Sequence, residues 1–239
     1  MTILKINGLV KEYPKFTLGE VSFEVKEGTI MGFIGRNGAG KTTTLKSIMN
    51  IVHPDAGKIE YFGRDIRTAE SEIKQRVGFA GGAADFYKKK KIRDIIAVTK
   101  RFYKNWDDTE YHKYLRLFEL DEDKSPAELS QGMRVKLSLL IALSHHAELL
   151  ILDEPTSGLD PVSRDELLEI LKYLRKQGVS TLFSTHITSD LEKCADDITY
   201  IRNGQIVYTG SMETFTEGSS LEDVMIGYEK EAFHEKFTV

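Results

Sequence analysis

The sequence predicts an α/β fold in which a parallel-sheet core is interrupted by a helical insertion. Three observations predict it. Short apolar runs at "TIMGFIG" (29–35), "ELLILD" (148–153) and "STLFST" (180–185) read as strands, the first as a central strand buried on both faces. Helical spacing follows the first run at 41–52 and the second at about 162–176. Between about 85 and 147 the strand pattern disappears and apolar residues recur at helical intervals.

The first part reads as strands, with "VSFEV" (21–25) alternating as a half-buried strand does. "KTTTLKSIMNIV" (41–52) is a helix that stops at "HPDAG", and "KIEYFG" and "RVGFAGG" are two further short strands. In the helical block, Ile92, Ile95, Ile96, Thr99, Tyr103 and Trp106 fall on one face. Tyr111, Tyr114, Leu115 and Phe118 form another, with Asp108 or Thr109 as the cap. The helix from about Val162 to Lys176 is closed by Gly178, and Asn203-Gly204 signals a hairpin in "YIRNGQIVYTG" (200–210). The tail after about 211 is helical. Its Leu221, Val224, Met225 and Tyr228 pack on the parent domain or, alternatively, meet a second subunit.

At 239 residues, 41% of them hydrophobic, the chain can bury the core of one domain with an insertion. A net charge of −4 argues against a nucleic-acid partner. Cys194 is the single cysteine, so an internal disulfide is excluded and a reducing compartment is expected. "MTILKING" lacks the pattern of a signal peptide. The most apolar stretch, Leu137 to Leu152, is too short and too interrupted by His145, His146 and Glu148 to span a bilayer. A soluble chain is expected, with any membrane spans supplied by another polypeptide.

"GRNGAGKT" satisfies G-x-x-x-x-G-K-S/T at Gly35, Gly40, Lys41 and Thr42, between a buried strand and a helix. This is the pattern of a P-loop nucleoside triphosphatase. The backbone of the loop, from Gly35 through Asn37, Gly38, Ala39 and Gly40 to Thr43, wraps phosphates at a helix N-terminus. Lys41 reaches the β- and γ-phosphates, and the Thr42 hydroxyl holds Mg²⁺. "LLILDEP" (149–155) supplies the carboxylates such a site needs: Asp153 for Mg²⁺ through water, and Glu154 to orient and deprotonate the attacking water. The alternative for Glu154 is a cap on the following turn. His186 follows the next strand at the carboxyl edge of the sheet, in reach of a γ-phosphate, although a histidine there is also commonly structural. The adjacent His145 and His146 do not share a helix face, so a solvated helix end is expected rather than a metal site.

A second helix start with anion-binding character appears in "AELSQGMRVKLSLL" (127–140). With the P-loop and "LDEP" in place, residues 1–215 resemble the nucleotide-binding subunit of ATP-binding-cassette (ABC) transporters. The resemblance implies a P-loop NTPase (RecA-like) core, residues 1–84 and 148–215. It also implies an N-terminal antiparallel β subdomain, a helical subdomain at 85–147 and a C-terminal helical tail at 216–239. It places "LSQGM" where the family has "LSGGQ", so that Ser130, Gln131 and Gly132 face the ATP of a second ABC subunit packed head to tail. The alternative is a simple serine cap.

By the same resemblance Tyr13 stacks on adenine, with a core tyrosine as the rival, and Asp160 in "SGLD" (157–160) crosses the dimer interface. His186 is the switch histidine. Gln131 and Met133 depart from the pattern, as does Gly82, which occupies the place of a glutamine that ligates Mg²⁺ or water and reports nucleotide state. That last departure bears on coupling and hydrolysis rate more than on ATP binding. The implied cofactors are ATP and Mg²⁺. The implied partners are a multispan membrane subunit on a separate chain and a second ATPase subunit, with the protein cytoplasmic and peripheral on the inner face of the cell membrane. "LSQGM", the short chain and "FYKNWDD" (102–108) are similar to bacterial ABC-2-type export subunits. The lysines of "YKKKKIRD" (87–94) form a solvated face or meet acidic residues or lipid headgroups. The rival functions are a non-transport ABC ATPase of ribosomes, DNA or protein assembly, and a binding-only regulator.

Overall fold

A computed structural model describes residues 1–81 and 87–235. Two long strands open the chain, β1 (Thr2–Tyr13) and β2 (Phe16–Lys26), followed by β3 (Ile30–Ile34) and α1 (Lys41–Ile48). Next come β4 (Ala56–Tyr61), β5 (Arg64–Asp65), α2 (Ile66–Lys74) and β6 (Val77–Gly81). The helical block contains α3 (Ile92–Thr99), α4 (Asp108–Leu117) and α5 (Gln131–Ser144). Alternation then resumes with β7 (Leu149–Asp153), α6 (Pro161–Lys176), β8 (Ser180–Thr185), α7 (Thr188–Cys194) and β9 (Asp197–Arg202). The chain ends with β10 (Gln205–Ser211), α8 (Met212–Thr216) and α9 (Leu221–Glu235).

Two sheets result. One is antiparallel, with β1 pairing β2 and β4, and has the order β2-β1-β4-β5; the other has the order β10-β9-β3-β8-β7-β6. In the second sheet β9, β3, β8, β7 and β6 run parallel, and only β10 is antiparallel to its neighbour. The apolar runs at β3, β7 and β8 are buried throughout, as two-faced strands require. Successive residues separate the two cores: Met31, Phe33, Leu149 and Ile151 join the antiparallel sheet, while Ile30, Ile34, Leu150 and Leu152 join the helical side. Phe23 stacks on Phe33 across the sheets, with centroids 5.3 Å apart. No helix among the described residues is long and apolar enough to cross a membrane.

Several expectations are corrected. The helix from Lys41 ends at Ile48 rather than at residue 52, because Asn50 turns left-handed (φ +56) and the Ile51 N–H returns to the Lys46 carbonyl. Helix α2 was not expected; the Asp65 carboxylate caps it by accepting from the Arg67 N–H at 2.9 Å. The cap of α4 is Asp107, not Asp108 or Thr109: its carboxylate accepts from the Thr109 N–H at 2.7 Å. The predicted face from Ile92 to Trp106 is not one helix. α3 ends at Thr99, a short 3-10 turn follows, and Tyr103 is extended.

The cause of that break is Gln75, which follows α2. Its side-chain amide donates to the Phe102 carbonyl and accepts from the Lys104 N–H, both at 2.8 Å. Its backbone carbonyl accepts from His145 Nδ1 at 3.1 Å. Tyr103 then lies flat on the His145 ring, with centroids 3.8 Å apart. His145 is therefore buried, contrary to the expected solvated helix end, whereas His146 is exposed. In the tail, Leu221 is buried and Val224, Met225 and Tyr228 pack against the helical-side core. Gly82 lies outside the described residues.

Burial pushes the His145 pKa down to about 4, and its Nε2 has no hydrogen-bond partner among the described residues. The unfolded chain takes up this proton near pH 6.5 and the folded chain only near pH 4. Its contribution to stability is thus complete above pH 6.5 and is lost as pH falls. Urea denaturation is expected to show about 2 kcal/mol less stability from this group at pH 5 than at pH 7. His145→Asn retains the donor to Gln75 and should remove that component of the pH dependence.

Candidate functional site

The site forms where the carboxyl ends of β3, β7 and β8 meet. The segment after β3 curls so tightly that a Cβ on Gly35 would lie 2.3 Å from the Ile201 carbonyl oxygen. Gly38 and Gly40 have φ of +82° and +114°, so the turn needs residues without a Cβ there as well. Gly40 opens α1, whose first N–H groups point out of the helix end. Asn37 and Gly38 are exposed at the rim, Ala39 is buried, Thr42 is exposed and Thr43 is half-buried. The loop is held from outside, since the Gly204 N–H donates to the Ala39 carbonyl at 2.9 Å. The Phe16 ring lies 3.0 Å from where a Cβ on Gly40 would be.

Lys41 is only 5% exposed. Its ammonium donates to the Gly35 carbonyl at 2.7 Å and pairs with Glu154 Oε1 at 3.0 Å. The other carboxylate oxygen of Glu154 is 2.8 Å from His186 Nδ1. Glu154 reaches both because its backbone is left-handed (φ +50), an uncommon conformation for a side-chain-bearing residue. Ser184 on β8 supports that turn. Its hydroxyl donates to Asp153 Oδ1 at 2.6 Å, while its hydroxyl and carbonyl oxygens accept from the Glu154 N–H. Sequence reasoning missed Ser184, although a serine inside a buried strand was the available signal.

Lys41, Asp153, Glu154 and His186 thus converge. Tyr13 is 42% exposed, which excludes the core reading, and it pairs with Phe16 at the end of the β1–β2 hairpin beside the loop. Asn37, Gly38, Ala39 and His186 border a cleft of about 950 Å³ that Met225 and Glu229 of α9 also line. Sequence reasoning missed Glu229, which accepts from the Tyr200 hydroxyl at 2.7 Å and pairs with Arg36 at 3.3 Å.

The second helix start lies apart. Ser130 caps α5 by accepting from the Met133 N–H at 3.2 Å. No hydrogen bond or ion pair among the described residues joins Ser130, Gln131 or Gly132 to the 35–43 loop. They lie instead along the 157–163 segment: the Gln131 amide donates to the Ser157 carbonyl, and Gly132 faces Leu159 and Ser163. Asp160 caps α6, accepting from the Ser163 hydroxyl at 2.6 Å and from the Val162 and Ser163 N–H groups. These bonds hold its carboxyl below the ordinary range. In the lysine run, Lys91 pairs with Asp123 at 2.9 Å, and Lys89 and Lys90 are exposed.

A glycine loop between a buried strand and a helix, its lysine paired to a carboxylate from a nearby strand end, defines a P-loop nucleoside triphosphatase. Residues 18–157 match the ABC transporter family model. The chain is 34% identical to the bacitracin transport ATP-binding protein BcrA of Bacillus licheniformis, over 86% of this chain and 69% of that one. It is 33% identical to the Nod factor export ATP-binding protein I of Burkholderia orbicola (strain AU 1054), over 88% and 71%. A solved ATP-binding subunit of an ABC transporter superposes with a TM-score of 0.85 at 26% identity, covering 94% of this chain and 98% of that one. The chain belongs to the ABC transporter family, as a nucleotide-binding ATPase subunit coupled to transport. Such subunits work with membrane subunits.

The packing around the loop separates two glycine substitutions. Gly35→Ala drives a methyl into the Ile201 carbonyl and should cost about 3 kcal/mol. Gly38 has no atom within 4 Å of an added Cβ, so Gly38→Ala meets only the left-handed backbone and should cost about 1 kcal/mol. Equal losses in urea denaturation would contradict this account.

Proposed function

We propose that this subunit hydrolyses Mg-ATP at the Lys41–Glu154–His186 cluster within a head-to-tail pair of ABC subunits docked on a separate multispan membrane protein. The observation that carries the reading is Glu154, fixed at the end of β7 with one oxygen on Lys41 and the other on His186. A carboxylate held between a phosphate-binding lysine and a histidine is placed to orient water at a γ-phosphate. On this reading residues 1–215 form the ATPase unit, and the tail that follows carries α9.

The donors suit Mg²⁺. Thr42 offers an exposed hydroxyl at the first turn of α1, and Asp153 offers a carboxylate whose Oδ1 Ser184 already orients. These are hard oxygens too few to cage an ion alone, which fits a cation that completes its shell with phosphates and water. When bound, Mg²⁺ would neutralise phosphate charge. The chain's own residues do the rest. The 35–43 backbone and Lys41 bind the phosphates, and Tyr13, exposed beside the loop, offers a face for adenine. Glu154 takes the proton of the attacking water, and His186 orients Glu154 and reaches toward the γ-phosphate.

The separation of Ser130–Gly132 from the 35–43 loop supports their serving a partner's nucleotide, with Asp160 beside them at the same surface. Closure of the pair on ATP and reopening after hydrolysis would drive the membrane subunit. Export is the favoured direction, since relatives are named for bacitracin transport and Nod factor export. Docked on such a membrane protein, the subunit would lie on the inner face of the cell membrane.

Lys41→Ala should weaken ATP binding at least tenfold, because a buried ammonium on the phosphates is lost. Glu154→Gln should bind ATP yet hydrolyse it roughly 10²–10⁴-fold more slowly, the range for loss of a general base. Light scattering should then find it as a dimer with Mg-ATP. Parental turnover by Glu154→Gln would refute the assignment of the base. Purification from membranes in detergent should bring along a hydrophobic multispan protein; co-purification with ribosomes instead would refute the transport role.

A further inference from the structure

The Gln131 side chain lies at the first position of α5, beside an anion-binding helix start, yet its amide is directed into its own chain. Nε2 donates to the Ser157 carbonyl at 2.5 Å. A Cβ on Gly158 would lie 2.9 Å from Gln131 Oε1, and Gly158 has φ +72. Glycine at 158 therefore serves both the turn and the amide that packs against it. The turn is anchored at the backbone of Glu154, since the Ser157 N–H donates to the Glu154 carbonyl at 3.2 Å and the Leu159 N–H to the Thr156 carbonyl at 3.2 Å. Two hydrogen bonds thus connect the start of α5 with the backbone of Glu154. Further along, Lys136 of α5 pairs with Glu166 of α6 at 2.8 Å.

We infer that Gln131 is a positioning residue: its amide latches the Ser130–Gly132 helix start to the 157–160 loop of the same chain, so that both surfaces close on a partner as one piece. This rests on the head-to-tail reading above. The family pattern has a glycine where this chain has Gln131, and a glycine has no arm to make such a bond. The latch is therefore a property of this sequence. It joins α5, which packs with α4 and β6, to a loop that hangs from β7, and so crosses between the helical block and the sheet. A shift of the Glu154 turn reaches the helix start through Ser157, and a shift of the helix start reaches Glu154 by the same route.

The test compares Glu154→Gln with Glu154→Gln/Gln131→Met, methionine having similar length and no donor. Hydrogen exchange of the Ser157, Gly158 and Leu159 amides in the monomer should accelerate at least tenfold, with β7 amides unchanged. Dimerisation with Mg-ATP, followed by analytical ultracentrifugation, should weaken by about tenfold or more, since in each protomer the unlatched helix start and 157–160 loop must be ordered against one another on association. Faster exchange with an unaltered dimer would overturn the role in closure. Slower association with unaltered exchange would mean that Gln131 acts on the partner's nucleotide directly, and would also overturn the proposal. If Glu154→Gln itself stays monomeric at saturating Mg-ATP, the head-to-tail reading fails and the closing role with it. The exchange rates then decide separately whether the latch exists.

Discussion

A buried ammonium is the constraint around which this molecule is arranged. Lys41 is almost wholly removed from water, and a charge so placed must be paired or it unfolds the site. Its partners are the Gly35 carbonyl and Glu154, which the chain must bring from opposite directions. Bringing Gly35 close forces the loop against the Ile201 carbonyl, where no side chain fits. Bringing Glu154 close forces its backbone into the left-handed region. β3 and β7 are not neighbours; β8 runs between them and supplies both Ser184, which holds the Glu154 turn, and His186, which takes its second oxygen. The strand order is therefore part of the site's chemistry.

The loop is also braced by elements remote in sequence. The Asn203-Gly204 turn donates to Ala39, and Phe16 of the antiparallel sheet lies against Gly40. In the tail, Glu229 joins Arg36 to Tyr200, and the Arg202 guanidinium donates to the Tyr228 carbonyl at 2.9 Å. A loop made mostly of small residues has little packing of its own. Contacts from β2, the β9–β10 hairpin and α9 give it the rigidity that preorganised phosphate binding requires.

The features legible in the sequence were those with a local cause. β8 spans the residues that its apolar run indicated, and the Asn203-Gly204 turn has positive φ at both residues, as its dipeptide required. The P-loop was legible because glycine spacing reports backbone geometry directly. What was not legible depends on partners distant in the chain. Tyr103 continues a helical period on paper, but Gln75 draws Phe102 and Lys104 out of the helix and His145 offers its ring. His145 read as solvated because nothing local hides it. It is covered by the Tyr103 ring and bonded to the carbonyl of Gln75, 70 positions away. The bond from Gln131 was not legible either, because Ser157, its hydrogen-bond acceptor, is 26 residues downstream.

The two anion-binding helix starts pose a physical problem that the fold answers by distance. If both served one phosphate chain within a protomer, α5 would have to approach the 35–43 loop. Its start is held elsewhere, capped by Ser130, latched to Ser157 and clasped to α6 through Lys136. Among the described residues nothing bonds it to the loop that carries Lys41. A helix start so oriented can still attract an anion, because its first N–H groups remain directed outward. On the head-to-tail reading proposed above, the anion would come from outside the chain, as a nucleotide seated in the Lys41 loop of a second copy or a paralogue. Hydrolysis at one Glu154 would loosen the turn that carries Ser157, and through Gln131 that loosening reaches the surface holding the other nucleotide. In the proposed pair, two sites joined in this way would respond to one another without any element that spans the whole dimer.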